Sequence, residues 1–230
     1  MFDARTTIHA KHPGNLGLLT TWGLPHTIVT AGCGTPIAAL ITEGNLAELY
    51  PKFLQDFHTT GLWPILTNDV ERPWLSREFL LGPLAPTPPP FAGRFRARPD
   101  AHVHEVLLCP GLAPPTALVL VPTQRPADVP AALGWLGSGG LTGNDIAGCL
   151  RSWEDRYGAI LMTIGHDNLE LLVTSPPQTP AQVRELAEEI ALVCPGIINP
   201  SAEALAPGSD GMELLQGLIE DSDTWYFWWD

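Results

Sequence analysis

His102-x-His104-Glu105 is the nearest thing in this chain to a metal-binding cluster. Imidazoles two residues apart on a strand point to the same side, but a third ligand requires Glu105 to bend round or His166 or Asp167 to arrive from elsewhere. The plainer alternative is an ordinary entry into a strand, and no metal or other cofactor is expected. A second group, Glu154-Asp155-Arg156, sets two carboxylates beside a guanidinium. Successive helix positions turn by about 100°, so these three do not converge on one reacting atom. Arg151 and Asp155, four apart, are instead expected to pair on a solvated face, with a binding or network role open to Glu154 and Arg156.

Cys33 lies in Gly32-Cys33-Gly34-Thr35-Pro36, which reads as a tight turn rather than a nucleophile site or a phosphate cradle. Cys109, Cys149 and Cys194 are widely spaced with no C-x-x-C pair, and they read as reduced, mostly buried thiols. There is no G-x-S-x-G elbow, P-loop or dinucleotide fingerprint.

These residues need elements to hold them. His26 to Ala31 and Pro36 to Thr42 read as an apolar hairpin, followed by a helix capped by Asn45 with Leu46, Leu49, Phe53, Leu54 and Phe57 on one face, and by a strand from Leu62 to Thr67. Residues 83–99, with Pro88-Pro89-Pro90, read as a semi-rigid linker. Beyond it, Ala117 to Val121 is an apolar strand. A helix capped by Thr142 or Asn144 and stopped by Gly158 follows. Ala159 to Ile164 and Leu169 to Thr174 flank the turn residues 165–168 as a hairpin. Thr179, Pro180 and Gln182 then open a helix with a capping box; Val183, Leu186, Ala187 and Ile190 lie on one face, and Glu185, Glu188 and Glu189 on the other. After another amphipathic turn or two, Met212 to Ile219, the chain ends Trp225-Tyr226-Phe227-Trp228-Trp229-Asp230. So much ring surface demands an ordered, packed strand.

The expected fold class is α+β: a ferredoxin-like, split β-α-β-β-α-β C-terminal domain at 100–230, with a smaller N-terminal α/β lobe at 1–82. Several stretches resemble a bacterial family, domain of unknown function 4253: Arg151-Ser152-Trp153-Glu154-Asp155-Arg156-Tyr157-Gly158, Leu169-Glu170-Leu171, Cys194-Pro195 and the aromatic end. The resemblance covers most of 117–230, and Thr60-Gly61-Leu62-Trp63-Pro64 is similar to an upstream element of longer members. It implies a shared α+β fold, but carries over no catalytic residue or ligand.

The net charge of −13 is concentrated, since residues 101–230 hold seventeen acids and four arginines. Such a surface repels phosphate backbones and anionic lipid, so neither nucleic acid nor membrane is an expected partner. With no apolar run of about 20 residues and no signal-peptide pattern, a cytoplasmic location is expected. Three functions stay open: a non-enzymatic module, of the immunity or inhibitor kind, whose acids (Glu154, Asp155, Glu185, Glu188, Glu189, with Arg156 among them) meet a basic protein; a small hydrolase or other enzyme with a site between lobes; and a structural homo-oligomer subunit.

Overall fold

The computed structural model describes residues 8–67, 115–136, 140–198 and 211–229. The linker at 83–99, His102, His104, Cys109 and Asp230 lie outside the described residues. Seven strands, β1 (Thr27–Thr30), β2 (Pro36–Ile41), β3 (Leu62–Thr67), β4 (Ala117–Pro122), β5 (Ala159–Ile164), β6 (Asn168–Val173) and β7 (Thr224–Trp228), form one sheet in the order β1-β2-β4-β3-β5-β6-β7. Around it are the helices α1 (Gly17–Thr21), α2 (Leu46–Thr60), α3 (Val129–Leu133), α4 (Gly143–Tyr157), α5 (Pro180–Val193) and α6 (Gly211–Asp221), with 3-10 turns at Pro126–Asp128 and Pro195–Ile198. The fold is mixed α+β, and no helix among the described residues is long and apolar enough to cross a membrane.

The strands β3 to β6 are apolar almost without interruption because both of their faces are covered. Every residue of β3 is buried, and only one residue in each of β4, β5 and β6 is not. The helix signals act as the sequence predicts. Thr142 caps α4 in a reciprocal box with Asp145, and Thr179 caps α5 with Gln182. Gly61 and Gly158 end α2 and α4 at φ 62° and 59°, a left-handed turn that glycine adopts without strain. Asn45 stands at the N-cap position of α2, but its side chain bonds Glu48 rather than the backbone.

Two expectations are corrected. In a ferredoxin-like sheet the last strand lies beside the first; here β4 is flanked by β2 and β3, so no edge of it is free, and β7 pairs with β6 instead. The strands assigned to a smaller lobe belong to the same sheet and the same apolar core: β3 runs antiparallel to β4, from Leu62↔Pro122 to Thr67↔Ala117, and parallel to β5.

The aromatic terminus is a strand with two different faces. Trp225, Phe227 and Trp229 are buried, whereas Tyr226 and Trp228 keep 45% and 48% of their surface exposed, so the expected burial of all five rings holds for three. Trp153 of α4 stacks on Phe227 with centroids 5.4 Å apart, while Trp135 meets Trp229 and Tyr157 meets Trp225 edge-on. Indole N–H groups tie this layer to backbone: Trp135 donates to Gly165 O and Trp229 to Val193 O, each at 2.9 Å.

Candidate functional site

The Thr142 cap and the αL stop at Gly158 fix the rotation of α4, so that Ile146, Leu150, Trp153 and Tyr157 face the core. Glu154 should then lie at the margin of that face. It is instead fully buried, because the segment that leaves β4 folds back over it. The Arg125 Nε–H donates to Glu154 Oε1 at 2.9 Å, the Ala127 backbone N–H donates to Oε2 at 3.1 Å, and His9 Nε2 lies 2.9 Å from Oε1. Arg125 also reaches Asp155 Oδ1 through Nη2 at 2.6 Å. Burial disfavours the charged guanidinium, but Glu154 and Asp155 outweigh it and hold its pKa above the ordinary value.

His9 arrives from the opposite end of the sequence on a segment bonded to the end of β4: Ala10 N–H donates to Gln124 O, and Gln124 Nε2 donates to Lys11 O. Its imidazole is 56% exposed over a carboxylate that is 1% exposed.

The neighbouring charges are paired across elements as well. Arg151 bonds Asp128 at 2.5 Å rather than the predicted Asp155, because Asp128 sits in the 3-10 turn against α4. Arg156 lies over the Tyr157 ring and pairs with Glu189 of α5, which also accepts from Trp153 Nε1 at 2.9 Å. Burial lowers the Arg156 pKa, but the bond to Glu189 and the surrounding charges raise it above its ordinary value overall.

The solvated-face expectation for Glu154 is therefore corrected; Asp155 shares Arg125 with it, while Arg156 and Glu189 form a separate, partly exposed pair between α4 and α5. Only Glu185 and Glu188, of the six residues singled out, point freely to solvent. Leu192, one turn beyond Glu188, is 81% exposed. Leu214 and Leu218, on α6 packed against α5, are 36% and 53% exposed. Sequence reasoning missed Arg125, Asp128 and His9, and the only local hint was an arginine directly after an apolar strand. Among the described residues no three His, Cys, Asp or Glu side chains are placed to hold a metal. His166 and Asp167 lie in the β5–β6 turn, where Asp167 O accepts from Trp229 N–H and Asp167 Oδ1 from Asn168 Nδ2.

The sheet, its aromatic terminal strand and the buried Arg–Glu network define an α+β protein organised around the Arg151–Gly158 helix turn. Residues 117–230 match the family model described as Domain of unknown function (DUF4253), and this part of the chain belongs to that family. No curated protein and no solved structure matches the chain.

Proposed function

We propose that the protein is a cytoplasmic, non-enzymatic binding module that docks a basic protein partner on the outer face of α5 and α6. One observation carries this: Leu192, the most exposed large apolar side chain among the described residues, stands on the same helix as the exposed Glu185 and Glu188. An apolar centre with a charged rim is the composition of a protein interface, and the excess of acids in this half selects a cationic surface and speeds encounter with it. Arg184 is the one basic residue of α5, so the face is acidic on balance. The contacts of Glu189 with Arg156 and Trp153 support the same reading, since they tie α5 to α4 and so help to preform the face.

The test is native co-purification with quantitative cross-linking, comparing the wild type with E185K/E188K and with L192D. Recovery of a specific basic partner that falls steeply with salt and is lost in both variants is the expected result. Unchanged recovery in the variants, or recovery insensitive to salt, refutes the proposal.

A further inference from the structure

The two edges of the sheet are finished differently. Trp229 N–H donates to Asp167 O and Val173 N–H to Asp223 O, so the odd-numbered residues of β7 bond β6 while Thr224, Tyr226 and Trp228 turn their backbone groups outwards. That edge is plugged. Ser222 Oγ accepts from Thr224 N–H and donates to Thr224 O, the Cys194 thiol donates to Trp228 O, and the Pro195–Ile198 turn lies against the strand. At the other end, β1 pairs among the described residues with β2 alone, and Thr27 and Ile28 are exposed, Ile28 to 40%. The one irregularity, an extra residue at Ile37, lies on β2 and leaves β1 continuous. Edge strands are ordinarily guarded by charge, proline or cover, because their outward N–H and C=O groups template another strand. β1 has none of these: it reads Thr-Ile-Val-Thr, and no Asp, Glu, Lys or Arg occurs between Lys11 and Glu43.

Charge decides what such an edge accepts. The whole excess of −13 lies in residues 101–230, while acids and bases balance in residues 1–100, so two copies repel through their acidic parts and not through β1. The end of α5 and its following turn lie against β7, six strand spacings or about 29 Å from β1, which is more than three Debye lengths at physiological salt. A charged foreign strand finds no counter-charge in β1, whereas a second β1 is uncharged and β-branched throughout. We propose that the chain forms a two-fold dimer by antiparallel pairing of β1 with β1 of a second copy, which joins the two sheets into one and sets the acidic ends furthest apart. An axis normal to the sheet keeps every side chain on its own face, so Ile28 meets Ile28 of the second copy directly or on the diagonal, about 5–8 Å away. With the β7 edge plugged, assembly stops at two. The strand is only four residues long, so the dimer is weak and dissociates on dilution. The interface is not on α5 or α6, and it stands or falls separately from the acidic-face proposal.

The experiment is sedimentation velocity on the full-length protein from about 1 to about 500 µM, with reductant present because Cys33 is exposed. The weight-average mass should rise from 24.8 kDa towards twice that value and no further. Salt should strengthen the dimer, since it screens only repulsion between the acidic parts. Ile28→Lys and Ile28→Glu should each weaken it about tenfold or more, and an equimolar mixture of the two variants should regain most of the loss. Glu185→Lys/Glu188→Lys should still dimerise. Circular dichroism confirms that the variants are folded, and the same pair of changes at exposed Thr27 replaces them if those at Ile28 are not. A wild type that stays monomeric throughout overturns the proposal, whether the edge remains open or takes another protein's strand. Assemblies larger than two, a dimer weakened by salt, undiminished dimerisation of Ile28→Lys, or a mixture no better than either variant alone overturns it equally.

Discussion

Glu154→Gln removes a charge from the interior while nearly preserving shape. The wild-type carboxylate accepts from Arg125 and the Ala127 backbone N–H and contacts His9, all at 3.1 Å or less. A glutamine amide must turn its NH2 towards one of these donors, and Arg125, 13% exposed, loses the more deeply buried of its two counter-charges. Removing one partner of a buried ion pair costs about 3–5 kcal/mol. Arg125 keeps Asp155 at 2.6 Å, itself 17% exposed, which reduces the expected cost to about 2–3 kcal/mol. At about 2–4 °C per kcal/mol for a chain of this size, the melting temperature should fall by roughly 5–10 °C. Thermal and urea unfolding followed by circular dichroism measure this. Arg125→Met should cost a similar amount, and the double variant Glu154→Leu/Arg125→Met much less than the two single changes together, because no unpaired charge then remains. If Glu154→Gln melts within about 1 °C of the wild type, or if the double variant is simply additive, the network is not what holds α4 to the segment after β4.

Three further outcomes follow from single contacts. Among the described residues Trp225 Nε1 is buried without an acceptor, whereas Trp229 Nε1 bonds Val193 O, so Trp229→Phe should cost about 1 kcal/mol more than Trp225→Phe in urea unfolding; equal costs would contradict this. The side-chain and backbone bonds from Thr142 hold the Asp145 pKa below its usual value, so the contribution of this cap is complete above about pH 4 and fades as pH falls through the lower folded-state value; between pH 6 and 3, Asp145→Asn should be less sensitive to pH in thermal melts than the wild type. Exposed Cys33, its thiol pKa lowered by Thr35, should react with iodoacetamide before Cys149 and Cys194, whose pKa values are raised by burial; peptide mapping reads the order, and Thr35→Val should slow Cys33.

Features with local physical causes were legible in the sequence. Thr142, Thr179 and Gln182 announce helix starts because their side chains answer backbone groups within three residues. The β5–β6 hairpin is announced by its turn residues, and the terminal strand by ring area that has to be buried. The burial of Glu154 was not legible, since its partners lie 29 and 145 residues away in sequence and nothing in the α4 pattern distinguishes a solvated glutamate from one about to be covered. The strand order failed for the same reason. From β4 onward the order is β-α-α-β-β-α-α-β, the expected one with a short extra helix, but the insertion of β3 between β4 and β5 depends on a strand encoded some fifty residues earlier.

The position of β3 has a consequence for synthesis on the ribosome. Both of its neighbours, β4 and β5, are encoded downstream of it, so when Leu62–Thr67 leaves the exit tunnel only the β1–β2 hairpin can have formed its strand pairs. At about 5–20 residues per second, the strand LWPILT waits several seconds for its partners with two bare edges, a state that invites intermolecular pairing and chaperone capture. Neither half should be a usable building block: a chain stopped at residue 114 should aggregate, and residues 117–230 alone should not melt cooperatively, because β4 lacks both neighbours and β5 lacks one. Co-expression of the two pieces, read by recovery of a soluble, cooperatively melting complex, checks this directly, and a well-folded 117–230 fragment would refute it.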